Sequence, residues 1–413
     1  MDSFFTAEFF TQNRESLRRG LNNDVPVIIT ANGQMQRSGD SPFAFAQDSN
    51  FWYLTGLDEP DLVLVMLPAE TFLITPVLSA EKQAFDGTHD LDAIKRRSGI
   101  GQVMGEHDGW QRVWEIVASG SSVATLASPP AYWPRHRLHT PPYRRRLIAK
   151  LKRCNKQLES TDVRPLLARL RSIKQPEELR ALQRAIDITC DTLSDVAMPK
   201  TLQSARHEYE LEAAITHGFR GRGAAGHAFE PIVGAGKDGT TLHFVANNNP
   251  IAKGDLIVLD VGASVEHYAA DVTRTVCSEP MSKRQAEVFQ AVAAVQDYAL
   301  GLLKPGTLLR EYEKAVVGRM GQALQQLGLI SEISNEATRR YYPHSTSHFL
   351  GLDVHDVGDY QAPLEPGMVL TCEPGIYIPE EGIGVRIEDD VLITKDGCKV
   401  LSAACPRELA RVE

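Results

Sequence analysis

The first part of the chain alternates short apolar runs with polar, turn-forming segments. Residues 1–20 carry a partly periodic set of Phe and Leu side chains, which predicts a helix. Runs rich in β-branched residues predict strands at 27–30, 62–67 and 71–77. Amphipathic patterns predict further helices at 108–118 and 143–153. Strands that alternate with helices in this way are typical of an α/β domain.

The pattern changes near residue 170. Ser172, followed by Pro176, Glu177 and Glu178, is typical of a helix start, and the helical pattern continues to about Val196. Apolar segments punctuated by glycine then alternate with longer helical patterns. The predicted strands are 229–234, 255–262, 268–277, 368–372 and 383–394, and the predicted helices are 207–220, 283–302 and 309–328. We therefore expect an α+β domain, an antiparallel sheet backed by helices.

Length and composition agree with a two-domain globular protein. The chain has 413 residues, which exceeds the size of one ordinary hydrophobic core, and 43% of them are hydrophobic. Together with the change of pattern, this predicts an N-terminal domain over 1–170 and a C-terminal domain over 171–413.

Charge and cysteine usage narrow the possible partners. The net charge of −9 argues against a general nucleic-acid binder, and the basic segment 135–156 is interpreted as a solvated helix face. No apolar run reaches the ~20 residues of a membrane helix, and the N-terminus lacks the order of a signal peptide. Six dispersed cysteines without a Cys-x-x-Cys pair suit a reducing compartment, so we expect a cytoplasmic protein.

Five residues of the C-terminal half carry the candidate chemistry. Each lies in or beside an apolar stretch, where an unpaired charge is unfavourable unless it is paired or bound to a cation. Four carboxylates and one imidazole that converge would supply a pair of divalent cations with most of its ligands. Such a pair supports hydrolysis. The five are Asp260, Asp271, His348, Glu373 and Glu388.

Local patterns suggest how these side chains are presented. The turn-like segment 264–267 lies between Asp260 and Asp271, which predicts that they occupy neighbouring antiparallel strands. Alternation over 385–393 places Arg386 and Glu388 on one face of a strand, and Asp389 on the apolar face without an evident partner. Glu373 precedes Pro-Gly, which predicts a strand end.

Three histidines within a short segment, His344, His348 and His355, also indicate a site. One imidazole would be a metal ligand, and another would hydrogen-bond a tetrahedral intermediate. His243, which stands apart from them, is a weaker candidate when taken alone.

In order along the chain, these segments resemble the pita-bread metallopeptidases, and among them the Xaa-Pro aminopeptidase (aminopeptidase P) and Xaa-Pro dipeptidase (prolidase) branch. The resemblance extends to the first half, which is similar to the creatinase-like α/β domain of aminopeptidase P-type proteins. The matching segments are 47–56, 260–263, 270–275, 347–356, 373–377 and 384–390.

The resemblance implies a role for each candidate residue. Asp260 would bind one metal ion, His348 and Glu373 the other, and Asp271 with Glu388 would bridge both. The usual metal of the family is Mn²⁺, with Co²⁺ or Zn²⁺ as alternatives, and a metal-bridging hydroxide attacks the carbonyl before proline. Glu373 would also transfer the proton. The substrate-binding positions are His243, His344, His355, Tyr377 and Arg386, of which His243, His355 and Arg386 would also be catalytic.

The resemblance leaves alternatives open. Substrates are peptides with proline at the second position, and we favour an aminopeptidase over a dipeptidase. A scaffold protein on the same fold, or a metal-free enzyme of the creatinase kind, usually lacks the carboxylate cluster present here. The family implies a homodimer or a dimer of dimers. Its tryptophan loop, often supplied by a neighbouring subunit, corresponds to Phe85-Asp86-Gly87, so the aromatic character is retained but the Trp is not.

Overall fold

A computed structural model describes residues 3–21, 25–128 and 138–408. The chain divides into two compact units, Met1–Leu170 and Arg171–Glu413. Within the described residues, no helix combines the length and the apolar character needed to span a membrane.

The first unit is built on a mixed six-stranded sheet of order β6-β5-β4-β1-β7-β8. The neighbours of β4 are antiparallel to it, whereas β5 with β6 and β1 with β7 run parallel. Helices pack on the sheet through Trp110, Val113 and Leu147. The sheet strands are β1 Val27–Thr30, β4 Val63–Met66, β5 Thr71–Thr75, β6 Gln102–Gly105, β7 Ser122–Thr125 and β8 Glu159–Asp162, and a small hairpin is formed by β2 Gln36–Ser38 and β3 Ser41–Pro42.

The helices of this unit follow the predicted amphipathic patterns. In the basic helix Tyr143–Cys154, Leu147 and Leu151 are buried and Arg145, Arg146 and Arg153 are exposed, whereas Arg144 is partly buried and pairs with Asp48. Residues 135–137 of the basic segment lie outside the described residues. The predicted α/β class of this half is confirmed. The helices are Ala7–Gly20, Ser49–Thr55, Ala80–Asp86, Leu91–Ser98, Glu106–Ser119, Tyr143–Cys154 and Arg164–Ser172.

The second unit contains small antiparallel sheets, of which β10-β11-β14 and β15-β18-β19 carry most of the site. The helices Lys283–Leu302 and Leu309–Gln326 pack on them over a continuous apolar core. This confirms the α+β class. The strands are β9 Gly226–His227, β10 Ile232–Ala235, β11 Leu256–Val261, β12 Ala263–Val265, β13 Tyr268–Ala269, β14 Val272–Cys277, β15 Val369–Cys372, β16 Gly375–Ile378, β17 Ile383–Arg386, β18 Asp389–Ile393 and β19 Cys398–Val400.

The predicted helix start is confirmed: the long helix begins at Pro176, has Glu177 and Glu178 in its first turn and ends at Val196. Gln175 rather than Ser172 is its N-cap, since Ser172 ends the preceding helix, and the Glu178 carboxylate accepts the Gln175 N–H at 2.9 Å as in a capping box. The remaining helices of this unit are Pro176–Val196, Pro199–Ser204, Glu208–Gly221 and Asn335–Tyr341.

Two predicted strands are each divided in the structure. The segment 268–277 forms β13 and β14, which belong to different sheets. The segment 383–394 forms β17, which pairs with β16, and β18, which pairs with β15. Between them, Ile387 N–H donates to Pro374 O at 3.3 Å and Glu388 N–H donates to Thr273 O at 3.1 Å. The chain therefore changes the strand with which it pairs at Glu388, the residue predicted to be a metal ligand.

Candidate metal centre and active site

A cavity of about 550 Å³ lies within the second unit. Its wall includes all five predicted ligands, together with His243, His344, His355 and Arg386. Apolar side chains complete it, and among them are Phe229, Ile232, Leu242, Val245, Val354 and Tyr360. Residues from distant parts of the chain thus meet in one concave site with an apolar wall, which is typical of a site for a small ligand.

Asp260 and Asp271 come from neighbouring antiparallel strands. Asp260 lies in β11, directly opposite Thr273 of β14, and Asp271 immediately precedes β14. The predicted turn is present: Glu266 and His267 have φ angles of 44° and 70° and join β12 to β13. Positive φ at both central residues is the geometry of a two-residue hairpin, so His267 occupies a conformation that favours glycine.

The side chains of His348, which lies in a loop, and Glu373, which follows β15, lie next to each other. His348 Nε2 lies 3.4 Å from Asp271 Oδ2 and 3.3 Å from Glu373 Oε1. Glu373 directly follows β15, and its N–H donates to Thr346 O at 2.9 Å. The strand ends before the Pro-Gly pair, so the Glu373 side chain projects into the cavity.

Glu388 completes the set at the junction between β17 and β18. Candidate donor atoms of Asp271, His348 and Glu388 all lie within 4.8 Å of one another. The Glu388 side chain is 2% exposed, so its charge is removed from solvent.

The charges of this cluster fit a bound cation. Burial raises the pKa of Asp271 to about 6 and that of Glu373 to about 7, and neighbouring carboxylates add to the effect. Burial, followed by repulsion from Asp271, also raises the pKa of Glu388. Oδ1 of Asp260 is buried and accepts no hydrogen bond within the described residues. Carboxylates packed this closely without solvent are costly unless a cation compensates them, and four carboxylates with one imidazole suit a hard to borderline divalent ion.

Burial acts on the pKa of the His348 imidazole in the opposite direction. Burial alone lowers its pKa, but the carboxylates of Asp271 and Glu373 outweigh burial and raise the pKa to about 9. His348 Nδ1 lies 3.0 Å from Phe349 O, which leaves Nε2 directed at the carboxylates. This is the orientation that a metal-binding histidine adopts when a carbonyl fixes its second nitrogen.

Arg386 links the metal cluster to the aromatic side of the site. Its Nη2 donates to Asp260 Oδ2 at 2.6 Å and its Nη1 donates to Tyr377 Oη at 2.8 Å. Tyr377 Oη is also 2.8 Å from His344 Nε2. Tyr377 is 3% exposed and does not form the cavity wall itself, so it supports His344 and Arg386 from behind.

His344 and His355 face the cavity as neutral side chains. Burial, with Arg386 as the next contribution, lowers the pKa of His344 to about 3. Burial, followed by His348, lowers the pKa of His355 to about 4. His355 lies against His348 with ring centroids 4.4 Å apart, and His243 is close enough to contribute to both pKa shifts. Neutral imidazoles beside a cation site can donate hydrogen bonds to a substrate carbonyl.

Sequence reasoning missed two threonines that hold the ligands. Thr273 Oγ1 donates to Glu388 Oε2 at 2.6 Å, and Thr371 Oγ1 donates to Glu373 Oε1 at 3.2 Å. Thr371 also accepts the His348 N–H at 3.1 Å. Thr273 lies two residues after Asp271 and Thr371 two residues before Glu373, and residues two apart in an extended chain share a face. That spacing was the available signal.

The structure also supplies the partners of Asp389, which the sequence left open. Arg274 Nη2 and Ser402 Oγ each donate to Asp389 Oδ1 at 2.7 Å, and Gln296 Nε2 donates to Asp389 Oδ2 at 2.9 Å. Asp389 is therefore a paired structural carboxylate directed away from the cavity. Its neighbour Asp390 accepts the Asp271 N–H at 3.1 Å.

Comparisons with known proteins agree with this architecture. The sequence profile of metallopeptidase family M24 matches residues 180–395, and that of the aminopeptidase P N-terminal domain matches residues 10–123. The chain is 34% identical to Xaa-Pro aminopeptidase 3 of Homo sapiens, over 94% of this chain and 80% of that protein. It is 33% identical to Xaa-Pro aminopeptidase of Haemophilus influenzae, over 98% of this chain and 96% of that protein.

Solved structures give the same result. Aminopeptidase P from Escherichia coli superposes with a TM-score of 0.88 at 29% identity, covering 98% of this chain and 97% of that chain. Family M24 membership implies that the protein binds divalent metal, and the chain is a metallo-exopeptidase with the pita-bread architecture of its relatives. The chain belongs to the Xaa-Pro aminopeptidase family.

Proposed function

We propose that this protein removes the N-terminal residue from peptides that carry proline at the second position. The observation that supports the proposal most strongly is the meeting of Asp260, Asp271, His348, Glu373 and Glu388 in one cavity of the second unit. An Xaa-Pro bond has no N–H and a rigid ring. A pocket with an apolar wall and histidines around the carbonyl suits such a bond, and the names of the relatives support the same substrate.

The five residues would hold two divalent ions: Asp260 would bind one, His348 with Glu373 would bind the other, and Asp271 and Glu388 would serve both. When bound, such a pair would lower the pKa of a water molecule and polarise the scissile carbonyl. Mn²⁺ is the proposed ion, because oxygen ligands with one imidazole suit it; one structure of the Escherichia coli enzyme is described as zinc-substituted.

The chain's own side chains then carry the proton and orient the substrate. Glu373 moves a proton from the attacking water to the prolyl nitrogen, because its carboxylate faces the cavity beside the metal site. His243 and His355 donate to the substrate carbonyl as its charge develops. Arg386 steadies Asp260 through the 2.6 Å contact, and Tyr377 keeps His344 and Arg386 in place.

Assembly and location complete the proposal. Phe85, in the position of the family's tryptophan loop, is 82% exposed, and such a side chain suits a contact with a second subunit in a homodimer or a dimer of dimers. The cysteines in the described residues are free thiols, which suits the reducing cytoplasm.

The test is hydrolysis of Xaa-Pro dipeptides and Xaa-Pro-Xaa tripeptides by chelator-treated protein, before and after addition of Mn²⁺. We expect manganese-dependent release of the first residue from tripeptides. Asp271→Asn should abolish activity and metal binding, whereas Asp297→Asn, at an exposed ion pair with Arg407, should retain both. Cleavage of dipeptides alone would establish a dipeptidase, and no cleavage by protein shown to contain metal would refute the proposal.

A further inference from the structure

The segment 348–356 presents two histidines to the cavity from a tight loop. Asp356 N–H donates to Phe349 O at 2.8 Å, which closes the loop on itself. His348 and His355 lie at its two ends, and their rings meet edge to face with centroids 4.4 Å apart. The position of His355 relative to the ligand His348 is thus a property of this loop.

His355 lacks the direct support that His344 and His348 have. His344 is bonded through both ring nitrogens, to Ser345 O and to Tyr377 Oη, and His348 is bonded to Phe349 O. Within the described residues His355 forms no hydrogen bond or ion pair, and its side chain is exposed to the cavity. Its orientation therefore depends on its backbone and on its neighbours in the loop.

The next residue anchors that backbone. Asp356 accepts from Arg171 Nη2 at 2.5 Å and from Lys174 Nζ at 2.9 Å, and all three side chains are 1% exposed. Arg171 also donates to Asp353 of the same loop at 2.8 Å. Burial alone would raise the pKa of Asp356, but the two cations outweigh it and hold the pKa below its usual value, so the carboxylate stays charged.

Gly351 leaves room in the loop for the Asp356 carboxylate and the Lys174 ammonium. A Cβ on Gly351 would lie 2.1 Å from Asp356 Oδ2 and 2.7 Å from Lys174 Nζ, so the carboxylate and the ammonium occupy the space a side chain would need. Gly351 O also accepts the Ala269 N–H at 2.8 Å, which ties the loop to the hairpin between Asp260 and Asp271.

We propose that Asp356, clamped by Arg171 and Lys174, is a positioning residue that fixes His355 against the substrate carbonyl. The inference rests on the proposed function, in which His355 contacts the substrate. Asp356 directs its carboxylate into the protein interior from the loop position next to His355. The buried ion pairs of Asp356 therefore determine where the His355 imidazole lies in the cavity.

Lys174→Met is the first variant to test. Methionine is close to lysine in length and shape, and Arg171 still pairs with Asp356, so this carboxylate keeps a buried cation. We expect kcat/KM for an Xaa-Pro-Xaa tripeptide to fall by at least about tenfold, mostly in kcat, with unchanged metal content. Lys174→Arg keeps the charge and should restore part of the loss. Arg284→Met, which breaks the Arg284–Glu381 pair elsewhere in the unit, is the matched control and should change kcat/KM less than about twofold.

A double-mutant cycle separates positioning from general loosening. If Lys174 acts through His355, Lys174→Met should have almost no further effect once His355→Ala is present. An equal loss in both backgrounds would overturn the proposal. If Lys174→Met fails to fold, the same cycle is run with Lys174→Arg.

A measurement without catalysis distinguishes failure of this inference from failure of the proposed function. In zinc-loaded protein with ¹⁵N-labelled histidine, the His355 signals are assigned by their loss in His355→Ala. We expect Lys174→Met to shift or broaden them and to leave those of His344 in place. Unchanged His355 signals would overturn the positioning role, even in a protein that cleaves no Xaa-Pro peptide.

Discussion

Thr273 donates a 2.6 Å hydrogen bond to Glu388, a residue 115 positions away in the chain. The same hydroxyl accepts from Arg386 Nε at 3.2 Å, and Thr273 stands directly opposite Asp260 in the sheet. The Thr273 hydroxyl thus orients two groups: the proposed ligand Glu388, and Arg386, which in turn holds the proposed ligand Asp260.

Thr273→Val should therefore weaken metal binding while keeping the fold. Loss of a hydrogen bond to a ligand usually lowers metal affinity by about 10- to 100-fold. The affinity is measured by competition with a chromogenic chelator. Thr338→Val is the control, because Thr338 is equally buried but its hydroxyl has no partner within the described residues. Equal affinities in the two variants would contradict the role of Thr273.

Tyr377→Phe should reduce both activity and stability. The change leaves Arg386 Nη1 without its buried acceptor and releases His344 Nε2. A buried donor left unpaired costs about 1–3 kcal/mol. Denaturant unfolding measures the cost, and kcat/KM for a tripeptide should fall by about tenfold as Arg386 and His344 lose their fixed orientation. Wild-type stability in this variant would show that the phenol contributes nothing to the site.

Arg274→Met should be among the most destabilising changes in the second unit. Arg274 is 0% exposed and pairs with the buried Asp389 at 2.7 Å, so its loss leaves that carboxylate with only the more distant cation Arg407, at 4.0 Å. We expect a loss of about 3–5 kcal/mol in the free energy of unfolding of metal-free protein. The exposed pair Arg340–Glu380 provides the comparison, and Arg340→Met should leave the free energy of unfolding almost unchanged. Adding Asp389→Asn to Arg274→Met should recover part of the stability.

Glu178 predicts a pH dependence of stability. Burial raises its pKa to about 7, although Lys174 and hydrogen bonds from Gln175 and Tyr268 act in the opposite direction. Because the folded pKa lies above the unfolded one, the protonated carboxyl stabilises the fold fully below about pH 4.5, and this contribution is lost as pH rises through about 7.

Glu178→Gln removes that dependence. The wild type should lose roughly 3 kcal/mol relative to the variant between pH 4.5 and pH 8, an upper estimate from the pKa difference. Urea unfolding of both proteins across this range measures it. Parallel stability curves would mean that Glu178 has the same pKa in the folded and unfolded protein.

Many structural features of this protein depend on interactions within a few residues of the chain, and the sequence therefore predicted them. The strand end before Pro374, the turn at Glu266 and His267, and the apolar stretches around Asp260 and Glu388 all reflect side-chain chemistry within a few residues. The same local signals predicted both fold classes, because periods of two and 3.6 residues separate strands from helices. Together they identified five residues that the folded chain brings to one cavity.

Tertiary structure decided which distant groups meet. No local pattern joins Arg171 to Asp356, 185 positions apart, or Arg274 to Asp389, 115 positions apart. The break between β17 and β18 arises because Pro374 O and Thr273 O capture the N–H groups of Ile387 and Glu388. A hydrogen bond or ion pair depends on atoms within about 3 Å. The sequence therefore determined which chemical groups the site would use, and packing alone determined which partners hold them in place.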